Sequence, residues 1–404
     1  MLLALPNLGE RYSPLYFLAA LGAGGLMVTF FMYLMFWVPH PGQPVPVFED
    51  IAAALAAGPM PLKAAVAIAW AGILFFAYLH VRLLVWNLRQ YTRFRATNAY
   101  KTLVSGNGET QLMAIPLTLA MTINGGFILG LVFVPGLWTV VEYLFPLALL
   151  AFLGVGWFAF RLLGAFFARV LTQGGFDCAV NNSFAQLLPA FALAMIGVGL
   201  AAPAAMSDTQ LVAGLSYIAS TFFIVSAVVL GSVALFLGFR SMLENGASPE
   251  AAPTLWVAIP IATVISIALM RQEHGLHVHF DAHAAAAANF TMLTQMLALQ
   301  LLFALLGAAV LKRIGYFGSY VFGPKTSAGS YALVCPGVAL SVLLHFYINK
   351  GLVEVGLVEQ FSAGYWAMTA FAIGLQVATI VLVFKLNAKH FASGHMEPAM
   401  SPAR

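Results

Sequence analysis

Only 8% of the 404 residues are charged while 62% are hydrophobic, and the mean hydropathy is +0.92. Soluble domains carry about 25% charge, so a soluble globular fold is excluded and a polytopic membrane protein remains. Cysteine is scarce as well. Cys178 falls in a connection and Cys335 inside an apolar run, which argues against a disulfide between them. The chain has no Walker loop, dinucleotide fingerprint or nucleophile elbow. It reads as a non-enzyme, and no cofactor is expected. A cleavable signal peptide is not expected either, because the first apolar run, Tyr16 to Val38, is long enough to span. The isoelectric point near 9.0 is not a nucleic-acid signal. The basic run "RLLVWNLRQYTRFRATNAYK" (82–101) flanks a span, where anionic lipid headgroups attract it. The expected partners are therefore the lipid bilayer and a small solute, with no nucleic acid.

A membrane-spanning helix needs about 20 apolar residues. Ten such runs occur, at 14–38, 63–88, 111–134, 137–168, 182–202, 210–239, 254–271, 285–311, 329–349 and 361–384. All read as helices, since an open sheet cannot cross lipid. With the N-terminus inside, all Lys and Arg except Lys63, Arg271 and Lys350 fall on the inner side, as the positive-inside rule requires. Both termini are then cytoplasmic. Residues 1–13 form an N-terminal segment, 14–384 a ten-helix domain, and 385–404, with Pro398 and Pro402, a disordered cytoplasmic tail.

Four odd-numbered spans share one core: "LMAIPLTLAMTI", "AQLLPAFALAMI", "WVAIPIATVISI" and "LVCPGVALSVLL". Their prolines, Pro116, Pro189, Pro260 and Pro336, are 73, 71 and 76 residues apart, so the repeating unit is a hairpin of two spans. The first span has Gly22, Gly24 and Gly25 in the comparable place. A lone proline in a membrane helix usually adjusts packing. A periodic set predicts bends aimed at a common axis, because freed carbonyls are tolerated where they line a wet cavity. The expected fold is all-α: ten transmembrane helices as five repeated hairpins around a central pore, the odd spans inside and the even spans facing lipid.

On these features the sequence resembles the plant slow anion channel and bacterial tellurite-resistance (TehA) family. "SPLYFLAALGAGGLM", "VNNSFAQLLPAFALAM" and "SAGSYALVCPGVA" are similar to that family's first, fifth and ninth helices. The resemblance implies a bacterial inner-membrane protein, a homotrimer, and small anions as solutes, with sulfite and dicarboxylates as themes. The family carries a pore-blocking phenylalanine just before the Pro/Gly step of its ninth helix. Here Cys335 holds that position, which marks a branch without that gate.

Residues preceding the prolines, Ile115, Leu188, Ile259 and Cys335, are the candidate apolar constriction, which can gate by dewetting; the alternative is ordinary helix packing. The candidate polar lining is Thr122, Asn124, Asn182, Ser183, Gln186, Thr263, Ser266, Ser341 and His345, with interhelical hydrogen bonds as the competing role. No charged residue is expected in the central part of an odd span, which suits a passive anion or neutral solute and argues against proton-coupled pumping. "RQEHGLHVHFDAH" (271–283) offers His274, His277, His279 and His283 as a weak candidate metal site. In it His277 and His279 would share a face of an extended segment; a polar loop is the plainer reading. A channel or facilitator for a small, anionic solute is the leading function. The alternatives are a small-molecule or anion exporter, which the fivefold repeat disfavours, and a haem- or quinol-binding subunit using His80 and His345, which lie at opposite depths.

The charge asymmetry is testable by single-cysteine labelling in a background free of Cys178 and Cys335. Position 279 should react with an impermeant reagent on intact cells, and position 95 only after permeabilisation. Labelling of position 95 in intact cells would reverse the orientation.

Overall fold

The computed structural model describes residues 5–282 and 286–391. Ten helices are long and apolar enough to cross a membrane, and no strand occurs among the described residues. The chain is an all-α multi-pass membrane protein. Helices are numbered in chain order. The odd-numbered spans are α1 (Phe17–Trp37), α5 (Ala114–Phe133), α7 (Leu188–Met206), α9 (Ala258–His279) and α11 (Val334–Phe346). The last continues as a π-helical stretch, Tyr347–Val353. The even-numbered spans are α3 (Met60–Phe94), α6 (Val141–Gln173), α8 (Gln210–Asn245), α10 (Ala286–Ile314) and α12 (Ala363–Phe391). Short helices α2 (Phe48–Ala57) and α4 (Asn98–Ser105) lie in connections.

The odd spans form a closed ring: α1 packs on α5, α5 on α7, α7 on α9, α9 on α11, and α11 back on α1. Each even span lies in the groove between its hairpin partner and the next inner helix. Thus α3 touches α1 and α5, α6 touches α5 and α7, α8 touches α7 and α9, α10 touches α9 and α11, and α12 touches α11 and α1. Burial follows this division. In their most apolar stretches the inner spans are 50% to 94% buried and the outer ones 22% to 33%. Exposed Leu74, Val81, Leu147, Val229 and Phe371 on the outer helices present the apolar surface a bilayer solvates.

The prolines do not bend the middle of α-helices, contrary to the expectation from sequence. Each inner helix opens with a short 3-10 turn, at Pro14–Tyr16, Asn107–Met113, Ala185–Leu187, Ala252–Trp256 and Ala328–Leu333. Pro116, Pro189, Pro260 and Pro336 stand in the first α-helical turn after it. The N–H groups of a first turn have no intrahelical acceptor, so a proline there forfeits no hydrogen bond. The prolines inside α-helices are Pro146 in α6 and Pro203 in α7. Gly22 and Gly24 are not bends either, because α1 runs unbroken through them. They permit close approach. A Cβ at Gly22 would lie 2.5 Å from Val334, at Gly25 2.9 Å from Val338, and at Gly24 2.6 Å from Met121.

At the end where the inner helices begin, aromatic packing ties the chain together. The Tyr12 hydroxyl donates to Asn87 Oδ1 (2.9 Å), and the Asn87 amide donates to the Tyr16 carbonyl (3.1 Å). Burial pushes the Tyr12 phenol well above its ordinary pKa, which keeps it a donor. Trp86 packs edge-on against Tyr16 and Phe391, and Phe391 stacks on Tyr331. Lys389 Nζ donates to the carbonyls of Tyr320, Gly323 and Lys325 at 2.6, 2.7 and 2.5 Å. That anchoring explains why α12 continues to Phe391, past the boundary at residue 384 expected from sequence. The remainder of the expected tail, 392–404, lies outside the described residues.

The α7–α9 contact depends on Gly275, where a Cβ would lie 2.2 Å from the Ala204 carbonyl oxygen. Backbone cannot swing aside as a side-chain end can. Gly275→Ala should therefore destabilise the protein by about 1–3 kcal/mol, read as a lower midpoint of thermal unfolding in detergent. Gly154→Ala, inside α6 with nothing within 4 Å of the added Cβ, should not lower the midpoint and should raise it slightly, since alanine is the better helix former.

Candidate functional site

A cavity of about 1080 Å³ occupies the axis of the ring over the half where the inner helices end. Every inner helix contributes one stripe at helical spacing. From α1 come Leu21, Gly22, Gly25, Val28, Met32 and Met35; from α5, Met121, Asn124, Ile128 and Leu131; from α7, Phe191, Met195, Val198 and Ala202. From α9 come Pro260, Thr263, Ile267, Arg271 and His274; from α11, Cys335, Val338, Val342 and Phe346. Phe145 and Phe152 of α6 and Asn289 of α10 complete the walls. The proline-rich segment Val38–Val45, with Gln360 and Phe361, rims the mouth. The floor is apolar, made by Leu21, Gly22, Met121, Phe191, Pro260 and Cys335. A second, smaller cavity of about 370 Å³ lies at the other end among the helix starts, lined by Arg11, Tyr16, Gln111, Glu250, Ser327 and His390.

The four candidate constriction residues do not form one layer. Cys335 faces the cavity, whereas Ile115, Leu188 and Ile259 are buried and do not line it. Ile259 packs in a separate cluster with Phe184, Leu187, Leu255 and Phe303. The reason is rotational. Pro260 faces the axis, and the residue before it is turned away by about 100°. Phe191, which sequence reasoning passed over, supplies the aromatic group at the floor.

Of the candidate polar lining, Asn124 and Thr263 reach the cavity. The others do not line it: most bond within their own segment or to neighbouring elements, and the His345 ring has no hydrogen-bond partner among the described residues. Thr122 pairs with His80 Nε2 (2.9 Å), Ser341 donates to the Ala372 carbonyl (2.9 Å) and Ser266 to the Ala262 carbonyl (2.7 Å). Asn182, Ser183 and Gln186 precede α7 at the opposite end; Asn182 donates to the Gly246 carbonyl and Gln186 to the Asn107 carbonyl. Ser183 accepts from the Ala185 N–H. His345 is fully buried behind the wall, against the rings of Tyr33, Phe36 and Trp37. His80 bonds the Ala20 carbonyl (2.8 Å). Ala20 and Trp37 are separated by about 25 Å along α1, so His80 and His345 cannot ligate one haem.

The histidine-rich stretch is helical through His279, not extended. Successive rings therefore point in different directions. His277 Nδ1 is engaged by the Ala282 carbonyl and His279 Nε2 by the Ser207 carbonyl, both at 2.8 Å. No group of three or more His, Cys, Asp or Glu among the described residues can hold a metal. His283 lies outside the described residues.

The same extension of α9 brings Arg271 into the cavity. Its Nη1 donates to the Val198 carbonyl at 2.8 Å. The ion pairs among the described residues are Arg169–Glu109, Arg240–Glu244 and Lys350–Glu354, so Arg271 has no carboxylate partner. Carrying the stripe Pro260, Thr263, Ile267 one turn further finds Arg271 in the sequence; ending the span at that residue hid it.

Comparison with protein-family models, with curated proteins and with solved structures found no match to this chain. The class rests on the fold alone. Ten apolar spans ringed about an axial cavity make a multi-pass membrane protein with the architecture of a transport protein.

Substituted-cysteine accessibility separates lining from packing. In a background without native cysteines, Val342→Cys and Thr263→Cys should react with a small methanethiosulfonate. Ile259→Cys and Ser266→Cys should stay unmodified. Equal reaction at all four positions would place the solvent path elsewhere.

Proposed function

We propose that this protein is a gated conduit for an anionic solute, related in architecture to the slow anion channel and TehA family, which moves solute along the axis of the inner ring. The observation that carries the reading is the axial cavity itself, to which every inner helix contributes one stripe, ending on an apolar floor. Arg271 supports an anionic solute, because an arginine in an apolar cavity with no carboxylate partner among the described residues attracts negative charge. The floor acts as the gate. Phe191, Met121 and Cys335 exclude water from the neck between the two cavities, and wetting that neck sets the barrier. With the N-terminus cytoplasmic, as the basic residues favour, the large cavity opens outward.

Flux from proteoliposomes in asymmetric salt tests this. The wild-type protein should show anion-selective reversal potentials. Phe191→Ala removes an aromatic plug whose burial is worth roughly 1.5–3 kcal/mol and should raise basal flux at least tenfold. Arg271→Gln should lower anion selectivity. No flux in the wild type or in Phe191→Ala would refute a conduit.

A further inference from the structure

Resting on that conduit reading, we infer that the axial cavity takes an amphipathic monocarboxylate, its head group at Arg271 and its apolar chain along the wall between Arg271 and the floor. Three features carry this. First, the head site is built. The guanidinium spends one donor on the Val198 carbonyl and keeps the rest of its fork, the geometry that matches a carboxylate. Asn124 lines the same cavity from α5, its amide donating to the Ala120 carbonyl. Its amide reaches Met195 Sδ at 3.8 Å, and Met195 and Val198 are one turn apart on α7. Asn124 and Arg271 therefore flank α7 with about 4.5 Å between their levels.

Second, the wall below is apolar. Pro260 and Arg271 are eleven positions apart on α9, about 16 Å of helix. Over that depth the facing stripes are Gly, Val, Met, Phe, Ile and Ala, apart from Asn124 and Thr263. The Thr263 hydroxyl is already committed, donating to the Ala339 carbonyl and accepting from Gln300 at 2.5 Å. A bare inorganic anion moving down from Arg271 would find few donors to replace its hydration. An alkyl chain loses nothing there.

Third, the surface is adaptable. Met32, Met35, Met121, Met195, Met206 and Met270 all line the cavity. Flexible thioethers accommodate chains of varied shape. The volume of about 1080 Å³ is at the upper end of the range for organic ligands and far beyond the need of a halide or sulfite. At the mouth Lys350 is paired to Glu354 at 2.8 Å, so the unpaired positive charge of the cavity, among the described residues, is that of Arg271 below the rim.

The test is calorimetric binding of butyrate, hexanoate, octanoate and octan-1-ol to the whole protein in nanodiscs, with empty nanodiscs subtracted. Affinity should rise about fourfold per methylene, roughly 200-fold from butyrate to octanoate. Octanoate should bind more tightly than octan-1-ol. Arg271→Gln should erase that preference, and Arg271→Lys should keep part of it. Affinity independent of chain length in the unaltered protein overturns the inference, and so does an octanoate preference that survives Arg271→Gln. Chloride flux in liposomes separates the two claims. Chloride flux with neither octanoate binding nor inhibition by octanoate overturns the amphipath and leaves the conduit. Octanoate binding without flux of any anion upholds the site and overturns the conduit.

Discussion

Within hydrocarbon no water completes an unpaired backbone group, and the rest of this structure depends on that constraint. It explains where the four repeat prolines stand, since a first helical turn is the one place where a missing N–H leaves no orphaned carbonyl behind. It also explains what the polar side chains do. Thr118 donates to the Phe17 carbonyl, Gln300 to the Ile259 carbonyl, Ser220 to the Gly197 carbonyl, Ser216 to the Leu200 carbonyl and Ser341 to the Ala372 carbonyl. Each joins two helices by satisfying the second lone pair of an acceptor already in a helix. Ser13 and Ser327 accept N–H groups at the starts of 3-10 turns. Few hydroxyls and amides are left over for the axis, which is why the cavity is so apolar.

The architecture was legible in the sequence because hydropathy and repeat length are coarse, additive signals. Ten runs of sufficient length and a proline spacing of 73, 71 and 76 residues sufficed for hairpins and for the inner and outer assignment. The ends of helices were less legible. Hydropathy stops at the lipid boundary, but the backbone of α3, α8, α9 and α12 continues for turns beyond it, carrying Arg93, Glu244, His279 and Lys389 in regular helix. The lining was least legible. Inner helices are apolar on every side, so no amphipathic stripe distinguishes Phe191 from Leu188 or Pro260 from Ile259. That difference is one of rotation, and only the packing of α10 against α9 reveals it. Asn124 and Thr263 were found because they happen to lie on the axial stripe.

The backbone repeats five times, yet the chemistry does not. One inner helix, α9, brings a full positive charge into the middle of the ring, eleven residues past its repeat proline, while the residues eleven past the repeat prolines of α5 and α7 are Phe127 and Leu200. The π-helical stretch after α11 places Asn349 and Lys350 at the mouth, where an ordinary α-helical register would rotate them. Asn349 is held from both sides, donating to the His345 carbonyl and accepting from Tyr365. Symmetry builds the container, and departures from symmetry give it a polarity.

A ring made of sequential hairpins has one seam that is not made by neighbours in the chain. Gly22 and Gly25 on α1 receive Val334 and Val338 on α11, joining the first inner helix to the last. During synthesis α1 leaves the ribosome more than three hundred residues before its partner. Until then its glycine face is turned toward lipid or toward insertion machinery. Four hairpins leave an open arc whose concave side is wetted by acyl chains, and the fifth must displace those lipids to close it. Closure of the ring thus waits for the fifth hairpin, and the axial cavity is enclosed only once that hairpin packs against the first.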